Sequence, residues 1–171
     1  MNNILDKLLG GDLRSIGKAD EVVSEVLKDP VIFGEVFNGI RSHDPLIRMR
    51  AADAIEKISK IHPEYLIPYK EEIINKISEI EQQEVRWHVA LMFSYLNLSD
   101  IEKDIVFNKL VSWIENSKSK IVIVNSLQSL VDIFKNDEKY LIKTTKILET
   151  AIEKGSPAVK ARAKKLYKFI N

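Results

Sequence analysis

The chain of 171 residues contains no cysteine. Disulfides, thiolate metal centres and a cysteine nucleophile are therefore excluded, and the composition suits a reducing compartment. Six glycines and five prolines are too few for a low-complexity or collagen-like chain. No run approaches the roughly 20 apolar residues that a membrane span needs. The opening MNNILDKLLGGDLRS lacks a basic stretch followed by a long apolar core, so no signal peptide is read there, and the expected location is cytoplasmic. Neither charge sign dominates: 26 basic and 25 acidic residues leave a net charge of +1. The balance is uneven along the chain, however. Residues 1–116 hold 14 basic and 20 acidic side chains, and residues 117–171 hold 12 basic and 5 acidic.

Helix signals are abundant. Hydrophobic residues make up 45% and charged residues 30%, with only 8% aromatic, a profile that favours helix over strand. Asp29-Pro30, Asp44-Pro45 and Ser156-Pro157 each pair a capping side chain with proline at the first helical position. His62-Pro63 predicts that the helix begun at Pro45 ends near Ile61. Within it Ile47, Ala51, Ala54, Ile55 and Ile58 share one face. A second amphipathic stretch spans 64–79, with Pro68 expected to kink it or to confine regular helix to the residues after the proline. Further helices are predicted near 18–27, 30–40, 81–96, 99–115, 118–134, 137–153 and 157–170. Lys120 to Val124, KIVIV, is the one strand candidate, and it runs directly into helical spacing at Leu127, Leu130, Val131 and Phe134.

The chain also repeats itself. Ile47, Ala51, Ala54 and Ile55 align with Val85, Val89, Met92 and Phe93 at an offset of 38, then with Val122, Ser126, Ser129 and Leu130 at 37, and with Val159, Ala163, Leu166 and Tyr167 at 37 again. Every aligned residue is apolar or small. Such a period, with two antiparallel helices per unit, is the pattern of a helical solenoid. The segment DPLIRMRAADAIEKI resembles the first helix of a HEAT repeat, with its Asp-Pro, the aliphatic-Arg step Ile47-Arg48 and the small residues Ala51 and Ala54. EVRWHVALMFSYL and SPAVKARAKKLYKFI look like the same helix in later units. The third unit departs from the pattern, with Ile123 where Arg48 and Arg86 stand. The resemblance implies an all-α fold: a right-handed α-α superhelix of HEAT-like hairpins with about nine to ten helices. The expected organisation is a single repeat domain over 18–171, preceded by residues 1–17 as a short docking helix or a flexible link.

Catalytic signatures fail on spacing. GGDLRSIGKA, Gly10 to Ala19, has five residues between its second and third glycines where a phosphate-binding loop has four, and Ala19 where Ser or Thr would hold magnesium. His43, His62 and His88 lie in no metal-ligand spacing. The expectation is a non-enzymatic protein without cofactor, metal or small-molecule ligand. Some DNA glycosylases are built from HEAT-like repeats, but they are longer, and no aromatic–carboxylate pocket can be placed on this chain.

Two sets of residues stand out instead. Arg50, His88, Asn125 and Arg162 recur at one repeat position, at the edge of the apolar stripe; they read either as a register-fixing hydrogen-bonding ladder or as a polar groove. Lys139, Lys143, Lys146, Lys160, Lys164, Lys165 and Lys168 form a candidate basic surface, read either as a solubilising end or as a binder of phosphates. The leading expectation is a scaffold that binds a protein along a concave face built from second helices, with Lys70, Asn108 and Lys143 as candidate contacts. The alternative is nucleic-acid binding through the basic C-terminal half.

Overall fold

Proline and short polar side chains set the helix boundaries. In the computed structural model, which describes residues 3–170, the chain forms α1 (Ala19–Lys28), α2 (Phe33–Gly39), α3 (Pro45–Ile61), α4 (Lys70–Asn75), α5 (Gln83–Met92), α6 (Asp100–Asn116), α7 (Lys120–Phe134), α8 (Glu138–Lys154) and α9 (Pro157–Ile170). Short 3-10 turns occupy Ile4–Leu8, Pro30–Ile32, Pro63–Tyr69, Ile77–Glu79 and Phe93–Tyr95, and no strand occurs among the described residues. The Asp44 carboxylate accepts the Leu46 N–H at 2.8 Å, while Pro45 has no N–H to leave unpaired. Ser99 and Glu102 cap α6 reciprocally, Ser119 accepts from Val122 at the start of α7, and Asp137 accepts from Lys139 at the start of α8. KIVIV is the opening of α7.

The stretch 64–79, read as one amphipathic helix limited by Pro68, is a turn of 3-10 helix up to Tyr69, six residues of α4 and a second 3-10 turn. Pro63 and Pro68 each withhold a donor from the i→i−4 ladder, so α-helix starts only at Lys70.

The helices gather into two compact units that part between Leu96 and Asn97. In the N-terminal unit α3 is central, packed on α1, α2 and α5. An aromatic cluster closes one side of this unit, with Phe37 stacked on Tyr69 at 4.1 Å and Phe33 edge-on to Tyr65 at 5.5 Å. At Gly39 a Cβ would lie 2.9 Å from that of Ala51, so glycine and alanine together set how closely α2 meets α3. In the C-terminal unit α7 packs on α6 and α9, and α8 on α9. Leu127, Val131, Leu148, Val159, Ala163 and Leu166 form its core, and Phe107, Phe134 and Tyr140 cluster with ring centroids 4.5–5.1 Å apart.

The aligned repeat positions face inward: all sixteen are buried except Ile47 and Tyr167, which are half-buried. Equivalent helices pack on each other within each unit, α3 on α5 and α7 on α9. The arginines of the aliphatic-Arg step behave alike as well. Arg48 Nη1 donates to the Ser42 carbonyl at 2.8 Å and Arg86 Nε to the Ile80 carbonyl at 3.0 Å, both reaching back six residues. Arg48 also donates to Gln82 Oε1, and Gln82 Nε2 to the Pro45 carbonyl, which ties α3 to the start of α5.

The small residues of α7 carry a cost. Ser126 and Ser129 are fully buried, and neither hydroxyl has a hydrogen-bond partner. An unpaired buried hydroxyl destabilises by about 1–3 kcal/mol. Ser126→Ala and Ser129→Ala are therefore each expected to raise stability by about 1 kcal/mol in urea unfolding; a loss in both would show that the hydroxyls are satisfied.

Candidate functional site

Within the C-terminal unit the ends of four helices meet around a cleft of about 560 Å³. Helices α6 and α8 and the first turns of α7 and α9 together supply its apolar floor. Val111, Ile114, Ile123, Ile147, Ala151 and Val159 give it an apolar lining. Amphipathic spacing explains their presence: Ile114, Ile123 and Ile147 flank the core and stay half-buried rather than covered. A cleft of this size falls within the range of ligand-binding pockets.

Four exposed lysines ring this floor: Lys118 from the α6–α7 turn, Lys120 from the start of α7, and Lys146 and Lys154 from α8. Among the described residues none of them has a carboxylate in ion-pair distance. Glu115 is the one acidic residue in the lining. The N-termini of α7 and α9 open on the same space and add partial positive charge. Ser156, just ahead of α9, places a buried hydroxyl with no hydrogen-bond partner in the wall. The arrangement can hold an anionic group beside an aliphatic one.

No protein-family model, curated protein or solved structure matches this chain. The site stands on its own geometry.

The residues singled out from the sequence are dispersed. Of the candidate basic surface only Lys146 lines the cleft. Lys139 is engaged elsewhere: its ammonium bonds both Asp104 oxygens at 2.7–2.8 Å, and Tyr140 donates to Asp104 Oδ1 at 2.6 Å. The hydrogen bond from Lys139 chiefly, then that from Tyr140, holds the Asp104 carboxyl below its usual range, and the Asp104 bond raises Lys139 well above the lysine range. Lys143, Lys164, Lys165 and Lys168 are exposed, and Lys160 is half-buried on α9. Of the candidate scaffold contacts, Asn108 is exposed on α6 and Lys70 half-buried at the start of α4; neither they nor Lys143 line the cleft. Lys118 and Lys120 escaped sequence reading because they flank the start of α7, apart from the lysines of α8 and α9 that form the basic pattern.

The polar set at one repeat position divides between the units. In the C-terminal unit Arg162 Nη1 donates to Gln128 Oε1 at 2.6 Å, and Asn125 is half-buried on α7. In the N-terminal unit Arg50 and His88 both face a cavity of about 100 Å³. Arg50 is 1% exposed, and its guanidinium is wrapped by the N-terminal segment. Nε donates to the Ser15 carbonyl at 3.0 Å, Nη1 to Leu8 at 2.7 Å and Gly10 at 2.6 Å, and Nη2 to Asp12 at 3.2 Å. Gly10, Gly11 and Gly17 adopt positive φ there, and a Cβ on Gly17 would lie 2.7 Å from Arg50 Cζ. This is the reverse of a phosphate-binding loop, because carbonyls rather than N–H groups turn inward.

His88 stands near Asp53 and Glu56, its ring nitrogens 3.8 and 4.0 Å from their oxygens, too far for hydrogen bonds. Tyr95 donates to Glu56 at 2.6 Å, and Lys57 bridges Asp53 and Asp20 at 2.8 and 2.7 Å. Burial works to lower the Lys57 pKa, but the bonds to Asp20 and Asp53 outweigh it and leave the group above its usual value. For His88 burial prevails: it lowers the pKa against the pull of Asp53 and Glu56, and Lys57 adds to the lowering.

Arg50→Met should cost about 3 kcal/mol and accelerate amide exchange across residues 8–17; unchanged exchange there would mean that Arg50 does not hold the segment. A His88 that titrates below its ordinary 6.5 in the folded state contributes stability that is complete above that pH. Below it the unfolded chain takes up the proton first, so this contribution is lost as pH falls through the folded value. Urea midpoints measured from pH 8 down to 5 should therefore fall less steeply in His88→Gln than in the native chain, and equal slopes would rule out a neutral buried imidazole.

Proposed function

We propose that the chain is a HEAT-like repeat solenoid that acts as a non-enzymatic scaffold, binding another protein through the surface of its second helices. The observation that carries this reading is the apolar cleft between α6 and α8, both of them second helices of their repeats. Supporting the repeat assignment are the helix starts at Pro45, Gln83, Lys120 and Pro157, which keep the period of 37 to 38 residues. The packing of α3 on α5 and of α7 on α9 supports it too, since stacked repeats bury apolar stripes that one hairpin leaves open. Nucleic-acid binding through Lys143, Lys164, Lys165 and Lys168, all exposed, is the competing reading.

One experiment separates the two. Tagged protein is used for capture from lysate with and without nuclease, and each retained protein is then purified and titrated against the chain by calorimetry. A stoichiometric complex formed from purified components supports the scaffold. Retention of nucleic acid, with every protein lost after nuclease, overturns it in favour of the basic surface.

A further inference from the structure

Resting on the scaffold reading above, we infer that the cleft of the C-terminal unit receives an acidic peptide segment carrying aliphatic anchors. Charge around the cleft is unmatched. Four lysines face one glutamate across an apolar floor, whereas elsewhere in the same unit Lys103 is bonded to Asp137 at 2.9 Å and Lys139 to Asp104. Those two lysines are matched by carboxylates across a helix pair; at the cleft four lysines converge on one apolar surface with a single glutamate among them. The positive ends of α7 and α9 add field of the same sign. A ligand seated here meets positive potential on both banks, which selects a partner of opposite charge.

The floor is incompletely covered as well. Ile114, Ile123 and Ile147 are only half-buried, so the hydrophobic contribution of covering them is still available to a ligand. Aliphatic side chains entering between α6 and α8, with flanking Asp or Glu carboxylates reaching Lys118, Lys120, Lys146 and Lys154, satisfy both features at once. This is groove recognition by an amphipathic segment, in which apolar anchors provide affinity and charges provide register. A lone carboxylate would match one lysine and leave three unanswered. Nucleic acid would meet the charges but has nothing aliphatic for the floor, and no aromatic residue lines the cleft to stack its bases.

The test is selection of short random peptides displayed on phage against the full chain, with Lys118→Glu/Lys146→Glu and Thr150→Trp as counter-targets. The substituted residues are exposed, so both variants should fold, which circular dichroism checks. Enriched peptides should be net acidic and contain Leu, Ile or Val. They should bind the charge-reversed variant about tenfold or more weakly and lose affinity to Thr150→Trp, whose indole fills the cleft. In methyl NMR they should shift Ile114, Ile123 and Ile147. Enrichment of neutral or basic peptides, equal binding to both variants, or shifts confined to other methyls would each overturn the assignment. Failure of the two readings can be told apart: a protein captured from lysate that binds native and charge-reversed chains equally leaves the scaffold standing and removes the cleft from it.

Discussion

A helix buried on more than one side needs small side chains where its neighbours come closest, and α3 and α7 are both packed in this way. In this chain the constraint is met by trimming side chains. Ala51, Ala52 and Ala54 on α3 and Ser126 and Ser129 on α7 are fully buried, and their small size lets α3 lie on α5 and α7 on α9. Other features depend on that closeness. Gly39 brings α2 onto the alanine face, and Arg48 and Gln82 join the start of α3 to the start of α5. The unpaired hydroxyls of α7 are the cost of using serine where alanine serves elsewhere.

The C-terminal cleft opens beside the core of its unit and shares Ala151 and Val159 with it. Its lysines sit around the start of α7 and along the second half of α8, and all four are exposed. A rigid helical frame around a half-covered floor is the kind of surface on which an anchor and its flanking charges can be read together.

Much of the fold was legible in the sequence because its signals are local. Asp44-Pro45 and His62-Pro63 bound α3 as spacing alone predicts, and the residues aligned at offsets of 37 to 38 are buried or half-buried. The partners of the predicted site residues were not legible, because they are distant in sequence. Lys139 reads as a free base until packing brings Asp104, 35 residues earlier, against it. Arg50 reads as a repeat-position residue until the chain folds back, since its partners are backbone carbonyls whose identity no side chain encodes. The glycines at 10, 11 and 17 were a visible trace of that loop, but glycine marks a permitted conformation and not what occupies the space it leaves. The cleft was hidden for a similar reason, being assembled from the ends of four helices.

The manner in which Arg50 is held has a consequence for robustness. Its donors meet peptide dipoles rather than carboxylates, so acid that neutralises Asp and Glu takes nothing from this fastening, and salt that screens surface charge reaches it little. Between the residues it grips, Leu13, Arg14 and Ile16 are exposed and can vary in type, while the length and glycine spacing of the loop cannot. The N-terminal segment is thus fastened by shape, in a way that tolerates changes of solvent and of sequence that would loosen an ion pair.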